Sequence, residues 1–348
     1  MTGMERLQAL LSGQRPDRIP INVNLVDQGA RELGLSLQDY YAKGERVAEG
    51  QLRMRAKYGY DLLLGMFYSA LDAELMGCRQ LIYATDGPPN VGHLVIKKPD
   101  DIRKLTPPAD LYSHPRFHEL ASCIKTLKQE SAGQWPVVGV VTASFSLPAM
   151  LMGVGAWLDL LLNGDATLRE LLLQKCAAFA SDKILALREA GADLIIYTNP
   201  LASATFILPA QFRQLALPWT LKDLEQNGPN GIVFFNGGGV INPILADLKK
   251  HSGIGAYYLN PFDDIAEARQ LLGPEPLIVG AINDIKLIDW TPEEIEQDVE
   301  RIMLAGNKAG NFIFGTLLMP YGIPEHNIRT MIKAAIKYGS FAEGGNNE

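Results

Sequence analysis

The chain has 348 residues, 47% hydrophobic and 20% charged, a length and mixture that can bury a large core and exclude a disordered chain. Its 32 Lys and Arg against 39 Asp and Glu leave a net charge of −7, so no global positive field attracts phosphate backbones and nucleic acid is not an expected partner. Apolar runs are too short to span a membrane, the first residues are too charged for a signal peptide, and Cys78, Cys123 and Cys176 are odd in number and far apart; a cytoplasmic protein without a disulfide framework is expected.

In chain order, short runs rich in Val, Ile, Leu, Phe and Tyr fall at 19–24, 60–67, 136–143, 193–199, 231–236, 255–260, 276–283 and 311–316. Several are apolar nearly throughout, as strands covered on both faces are. The segments between them carry helical periodicity. Leu168, Leu172, Cys176, Phe179 and Ile184 form a stripe over 166–190. Thr291-Pro292-Glu293-Glu294 reads as an N-cap, a first-turn proline and a capping-box acid ahead of Ile295, Val299, Ile302 and Met303, with Gly306 after them. Eight strands alternating with helices predict a single-domain (β/α)8 TIM barrel, with an open doubly wound sheet as the alternative. The interval between the second and third runs is about twice the later ones, so 69–135 reads as a decorating insertion, with a short hairpin pairing 81–84 with 93–96.

Barrel chemistry sits where the strands end. Asn24, Asn199, Asn236, Asn260 and Asn283 end five of the runs, and a ring of carboxamides suits a polar, multi-edged ligand, although asparagine also serves loops by bonding its own backbone. Tyr68 and Tyr197 could wall such a ligand. Few charges lie near this rim: Asp72, Glu74, Asp263, Asp264 and Asp284. Asp263 and Asp264 precede a helical segment and read as caps, whereas Glu74, among apolar and small residues, is the strongest candidate acid. No H-x-C, H-E-x-x-H or C-x-x-C spacing occurs.

Several segments are similar to the uroporphyrinogen decarboxylase superfamily: Arg15 to Ile21 (R-P-D-R-I-P-I), Asp72 to Cys78, Ser146 to Gly153, Glu189 to Asp193, Asn199 to Phe212, and Pro324 to Ile328. Their order resembles the corrinoid-dependent methyltransferases of the methylcobamide:coenzyme M type more than the decarboxylases. The resemblance implies a (β/α)8 barrel and departs from the family at the chemistry. Decarboxylases carry R-Q-A-G-R after the first strand, where Asn22 to Gly29 stands here, and an aspartate near the position of Ser69-Ala70; a substrate with eight carboxylates then lacks its counter-charge. The zinc of the thiol-methylating members needs H-x-C after strand five and a cysteine after strand eight, where Asn236-Gly237-Gly238 and Leu317-Leu318 stand, so zinc is open as a cofactor but its usual ligands are absent and no metal ligand is predicted.

The resemblance therefore implies a methyltransferase component that exchanges a methyl group between a small organic donor or acceptor, such as a methoxyaromatic, a methylated amine or a folate, and a corrinoid on a partner corrinoid protein. A cobalamin-ligating D-x-H-x-x-G motif is missing from the chain. Glu74, Tyr197 and Asn236 are the expected catalytic residues, and Asn24, Tyr68, Asn199, Asn260, Asn283 and Asp284 the expected substrate contacts. A decarboxylase-like lyase and a noncatalytic barrel that binds a partner are the alternatives, and a homodimer is left open.

Overall fold

A computed structural model describes residues 1–85 and 87–341. Each of the eight apolar runs forms a strand of one parallel sheet: β1 (Ile21–Asn24), β2 (Leu63–Leu64), β5 (Val137–Thr142), β6 (Leu194–Thr198), β7 (Ile232–Phe235), β8 (Ala256–Tyr258), β9 (Leu277–Ile282) and β10 (Phe312–Leu318). Their order is β1-β10-β9-β8-β7-β6-β5-β2, every pairing parallel. Nearly all strand residues are buried, since the barrel fills one face and the helices cover the other, which explains runs that are apolar instead of alternating. The sheet closes between β1 and β2 through Asp61. Its N–H donates to the Ile21 carbonyl at 2.9 Å, and its carboxylate accepts the Ile21 N–H at 2.7 Å while paired with Arg18 and Arg6. The architecture is a (β/α)8 TIM barrel.

Helix ends follow the sequence signals. Thr291 and Glu294 form a reciprocal capping box on Pro292–Ala309, whose buried face is Ile295, Val299, Ile302, Met303 and Gly306. The helix runs past Gly306, which is glycine for packing: a Cβ there would collide with the Phe312 ring. Asp165 caps Ala166–Ala190, accepting the Leu168 N–H at 2.9 Å. Among the described residues no helix is long and apolar enough to cross a membrane.

Between β2 and β5 lie the helix Leu71–Leu75, an antiparallel hairpin of β3 (Leu81–Ile82) with β4 (Asn90–Val91), and the helices Pro99–Lys104 and Pro115–Ser131. The hairpin is shorter than the predicted 81–84 with 93–96. Residues 93–96 are held elsewhere: Ile96 N–H donates to the Leu151 carbonyl at 2.9 Å, and the Cys78 thiol donates to the His93 carbonyl at 3.3 Å. Pro115–Ser131 packs on β5 and on Gly44–Tyr58, as a helix of the outer ring does, so decoration is concentrated before Pro115. Asp72 anchors this segment. Its carboxylate accepts the Thr142 N–H at 2.7 Å and pairs with Lys183, both side chains buried.

Candidate active site

A cavity of about 370 Å³ opens at the C-terminal ends of β10, β1 and β2. Its walls are strand-end loops: Val26 and Asp27 after β1, Phe67 to Ser69 after β2, and Leu318 to Gly322 at the end of β10, with Ile288 and the hairpin's Pro88. Gln28 ties two walls together, donating from Nε2 to the carbonyls of Met319 (3.2 Å) and Pro320 (3.0 Å). Phe67 and Leu318 also roof a second space inside the barrel, bounded by Asn24, Thr198, Phe235 and Tyr258, with about 10 Å³ free, no more than one water occupies.

The charged feature of the cavity is Asp27, a residue only 3% exposed. Tyr41 donates its hydroxyl to Asp27 Oδ1 at 2.5 Å, and no other hydrogen bond reaches the carboxylate among the described residues. Burial pushes the Asp27 carboxyl up to about 6, against the opposing pull of the Tyr41 hydrogen bond. The Tyr41 ring meets Tyr68 edge-on with centroids 5.0 Å apart. Tyr68 donates to Glu74, which accepts from Arg116 Nε at 3.2 Å, and Arg116 returns to the Tyr41 carbonyl at 2.7 Å. Burial first, then the Glu74 charge, holds the Tyr68 hydroxyl far above its usual range, so it stays protonated as a donor.

Of the predicted residues, Tyr68 lines this cavity and Glu74 stands behind it. Asn24 lies one layer deeper, donating to the Tyr258 hydroxyl (3.1 Å) and the Thr316 carbonyl (2.7 Å). Asp284 is buried with Oδ2 unpartnered; burial pushes its carboxyl up to about 7, and its charge bears on Tyr258.

The other predicted positions do not share the cavity. On β6 the side chains alternate, and Ile196 and Thr198 take the barrel interior. Tyr197 therefore faces the helices, where its hydroxyl donates to Asp223 at 2.6 Å. Asn199, fully buried, accepts from Ser146 Oγ at 2.6 Å and donates to Thr220 at 3.4 Å, tying loop to helix. Asn236 caps its own glycine turn, donating to the Gly239 carbonyl and accepting the Gly238 N–H at 3.2 Å. Asn260 accepts the Phe262 N–H at 2.7 Å and donates to the Gly238 carbonyl, and Asn283 accepts the Lys286 N–H at 3.3 Å. Asn236, Asn260 and Asn283 bond the loops they begin, and Asn199 is spent on Ser146 and Thr220, so the expected single ring is not assembled. Asp264 caps Ile265–Leu272 as expected, while Asp263 accepts the N–H groups of Ile241 and Asn242 at the neighbouring helix.

Asp27 was not among the expected site residues. It lies three residues beyond Asn24, and extending the reading from strand ends into the following loops would have reached it. The donor set does not fit the zinc of the thiol-methylating enzymes: Asn236 is committed to its turn, Gly238 has no side chain and Leu317 and Leu318 are apolar. Among the described residues, no three His, Cys, Asp or Glu side chains are grouped to hold a metal ion.

Comparisons with known proteins place this geometry in a family. A methylated-thiol–coenzyme M methyltransferase of Methanosarcina mazei is 25% identical over 96% of this chain and 89% of its own length. A methylcobamide:CoM methyltransferase of Methanosarcina barkeri is 23% identical over 80% and 81%, and a uroporphyrinogen decarboxylase of Chlorobium phaeovibrioides is 28% identical over 58% and 61%. A solved methyltransferase structure from Methanosarcina mazei superimposes with a TM-score of 0.83 at 19% identity, covering 97% of this chain and 99% of that one. The uroporphyrinogen decarboxylase (URO-D) family model matches residues 2–338, and the chain belongs to that family.

Proposed function

We propose that the chain is a corrinoid-dependent methyltransferase component, moving a methyl group between a small organic substrate in the β10–β1–β2 cavity and the cobalt of a corrinoid on a partner protein. The methyltransferases among its relatives support this reading, and the cavity carries it. The pocket is small, walled by apolar and aromatic side chains, and open at the barrel mouth, where the exposed Ile288 and Leu318 line it. A group held there is reachable by a cofactor approaching from outside. The corrinoid, when presented, supplies a strongly nucleophilic metal; the chain's own residues hold the methyl donor in line and keep water from it. Among the described residues no lysine, arginine or histidine lines the cavity, which argues against the decarboxylase reading because a polycarboxylate would meet no counter-charge there.

The test is to mix the protein with a reduced corrinoid protein and, separately, methoxyaromatics, methylated amines and methyltetrahydrofolate, following the Co(I) absorbance. Donor-dependent decay that requires this chain supports the proposal. Absence of decay with every donor, or formation of coproporphyrinogen from uroporphyrinogen, overturns it.

A further inference from the structure

We infer that the cavity between Asp27, Phe67, Tyr68 and Tyr321 is a site for a small methylated ammonium cation; this deepens the function proposed above and names the substrate class of the same site. Three observations carry it. A carboxylate whose residue is 97% buried, Asp27, lines the cavity with Oδ2 free of any protein donor among the described residues, and no cationic side chain lines the same space. A buried carboxylate without a counter-charge is unfavourable, and a ligand cation supplies what the protein does not. Around it stand the Phe67, Tyr68 and Tyr321 rings, whose electron-rich faces attract a cation that water hydrates poorly, as a quaternary ammonium is. Finally, the Tyr68 O–H donates to Glu74, a carboxylate, which pushes electron density into the ring and strengthens that face. Glu74 is itself neutralised by Arg116, so among the described residues that line or back the cavity Asp27 is the carboxylate left for the ligand.

A donor of this class also suits the acids available. Asp72 is spent on Lys183, and Tyr197 and Asp223 are sealed behind β6, away from the mouth. A quaternary ammonium needs no proton acid: the C–N bond breaks with both electrons staying on nitrogen, the amine leaves neutral, and the methyl group forms its new bond with the electron pair of the partner's reduced corrinoid, the named acceptor. Asp27 then holds the cation in the ground state and releases the neutral amine.

Calorimetric titration compares choline with its uncharged isostere 3,3-dimethylbutan-1-ol on the intact protein, wild type and Asp27→Asn. Asparagine still accepts from Tyr41, and thermal melting checks the fold. The expected result is choline binding tighter than the isostere by about tenfold or more, an advantage that Asp27→Asn removes. Equal binding of the two probes by the wild type overturns the assignment, even where the variant does not fold. So does an unchanged preference in a folded variant. The two proposals fail separately: charge-dependent binding without methyl transfer to any corrinoid protein sustains this site and sinks the function, whereas transfer from a neutral methoxyaromatic with no choline binding does the reverse.

Discussion

The Tyr197 hydroxyl donates to the Asp223 carboxylate at 2.6 Å in a space closed to solvent behind β6. Ser144 N–H donates to the same oxygen at 2.9 Å, while Asp223 Oδ1 and Ser144 Oγ are both buried without partners. A protonated Asp223 would satisfy both atoms, with Oδ1–H donating to Oγ. Burial pushes this carboxyl up to about 7.

Asp223 therefore makes the fold pH-dependent. Its pKa is raised on folding, so between about 4 and 7 the unfolded chain binds fewer protons than the native one, and stability falls as pH rises through that window. The loss is on the order of 4 kcal/mol once Asp223 is ionised. Asp223→Asn, which keeps the acceptor for Tyr197 and can donate to Ser144, is expected to melt above wild type at pH 8 and without that advantage at pH 5. Equal melting differences at both pH values would contradict the assignment.

The buried pair of Asp72 and Lys183 joins the start of the insertion to the helix Ala166–Ala190. Removing one partner strands a charge away from water, which costs about 3–5 kcal/mol. Lys183→Met is expected to lower the urea midpoint strongly, and adding Asp72→Asn to recover a large part of the loss, because the neutral amide still accepts from Thr142. A double variant no better than the single would show that the methionine itself, not the stranded charge, is responsible.

The barrel was readable in the sequence because burial on both faces leaves an unmistakable trace: each of the eight apolar runs is a strand, and the capping box at Thr291 and Glu294 starts its helix where the pattern says. The site was readable only in part. The sequence points to Tyr68 as an aromatic at a strand end and to Glu74 as an acid among apolar residues, and the structure puts the first in the cavity wall and the second behind it, but the strand-end asparagines look alike in sequence whether they face a ligand or their own loop. Asn236 and Asn260 serve the glycine turn at 237–239, a relation made by a hydrogen bond to Gly238 from a different strand end. Tyr197 shows the other limit: a strand's period of two gives two faces but does not say which is the interior. Asp27 lay within reach of a reading extended past Asn24, but what sets it apart needed the fold, since Phe67 and Tyr321, which share its cavity, are far from it in sequence.

Those asparagines give a discriminating experiment. Asn199→Ala removes hydrogen bonds to Ser146 and Thr220 in a sealed space and is expected to cost about 1–3 kcal/mol of stability. Asn236→Ala loosens a surface-proximal turn. Neither lines the β10–β1–β2 cavity, so if that cavity takes the methyl donor both are expected, in folded protein, to leave its Michaelis constant within about twofold of wild type. A rise of about tenfold or more for Asn236→Ala, with melting unchanged, would return that side chain to the substrate.

Gln28 offers the complementary case, a residue outside the cavity that shapes it. Its Nε2 bonds the Met319 and Pro320 carbonyls, and Met319 N–H in turn donates to the Asn24 carbonyl at 3.2 Å, so the wall Leu318 to Gly322 is pinned to the loop after β1. Gln28 Oε1 has no partner of its own, so the side chain stays buried in that position mainly through what Nε2 holds. Gln28→Ala should therefore cost only about 1 kcal/mol, the buried Oε1 vanishing with the donor, yet free the wall to move. Amide exchange at Tyr321 and Gly322 is expected to speed up while that of β9 stays unchanged, and the Michaelis constant for the donor to rise several-fold as the Tyr321 ring loses its fixed place opposite Asp27. Unchanged exchange at Tyr321 alongside a weakened donor would mean that Gln28 acts on Asp27 itself, its neighbour in the chain, and not on the far wall.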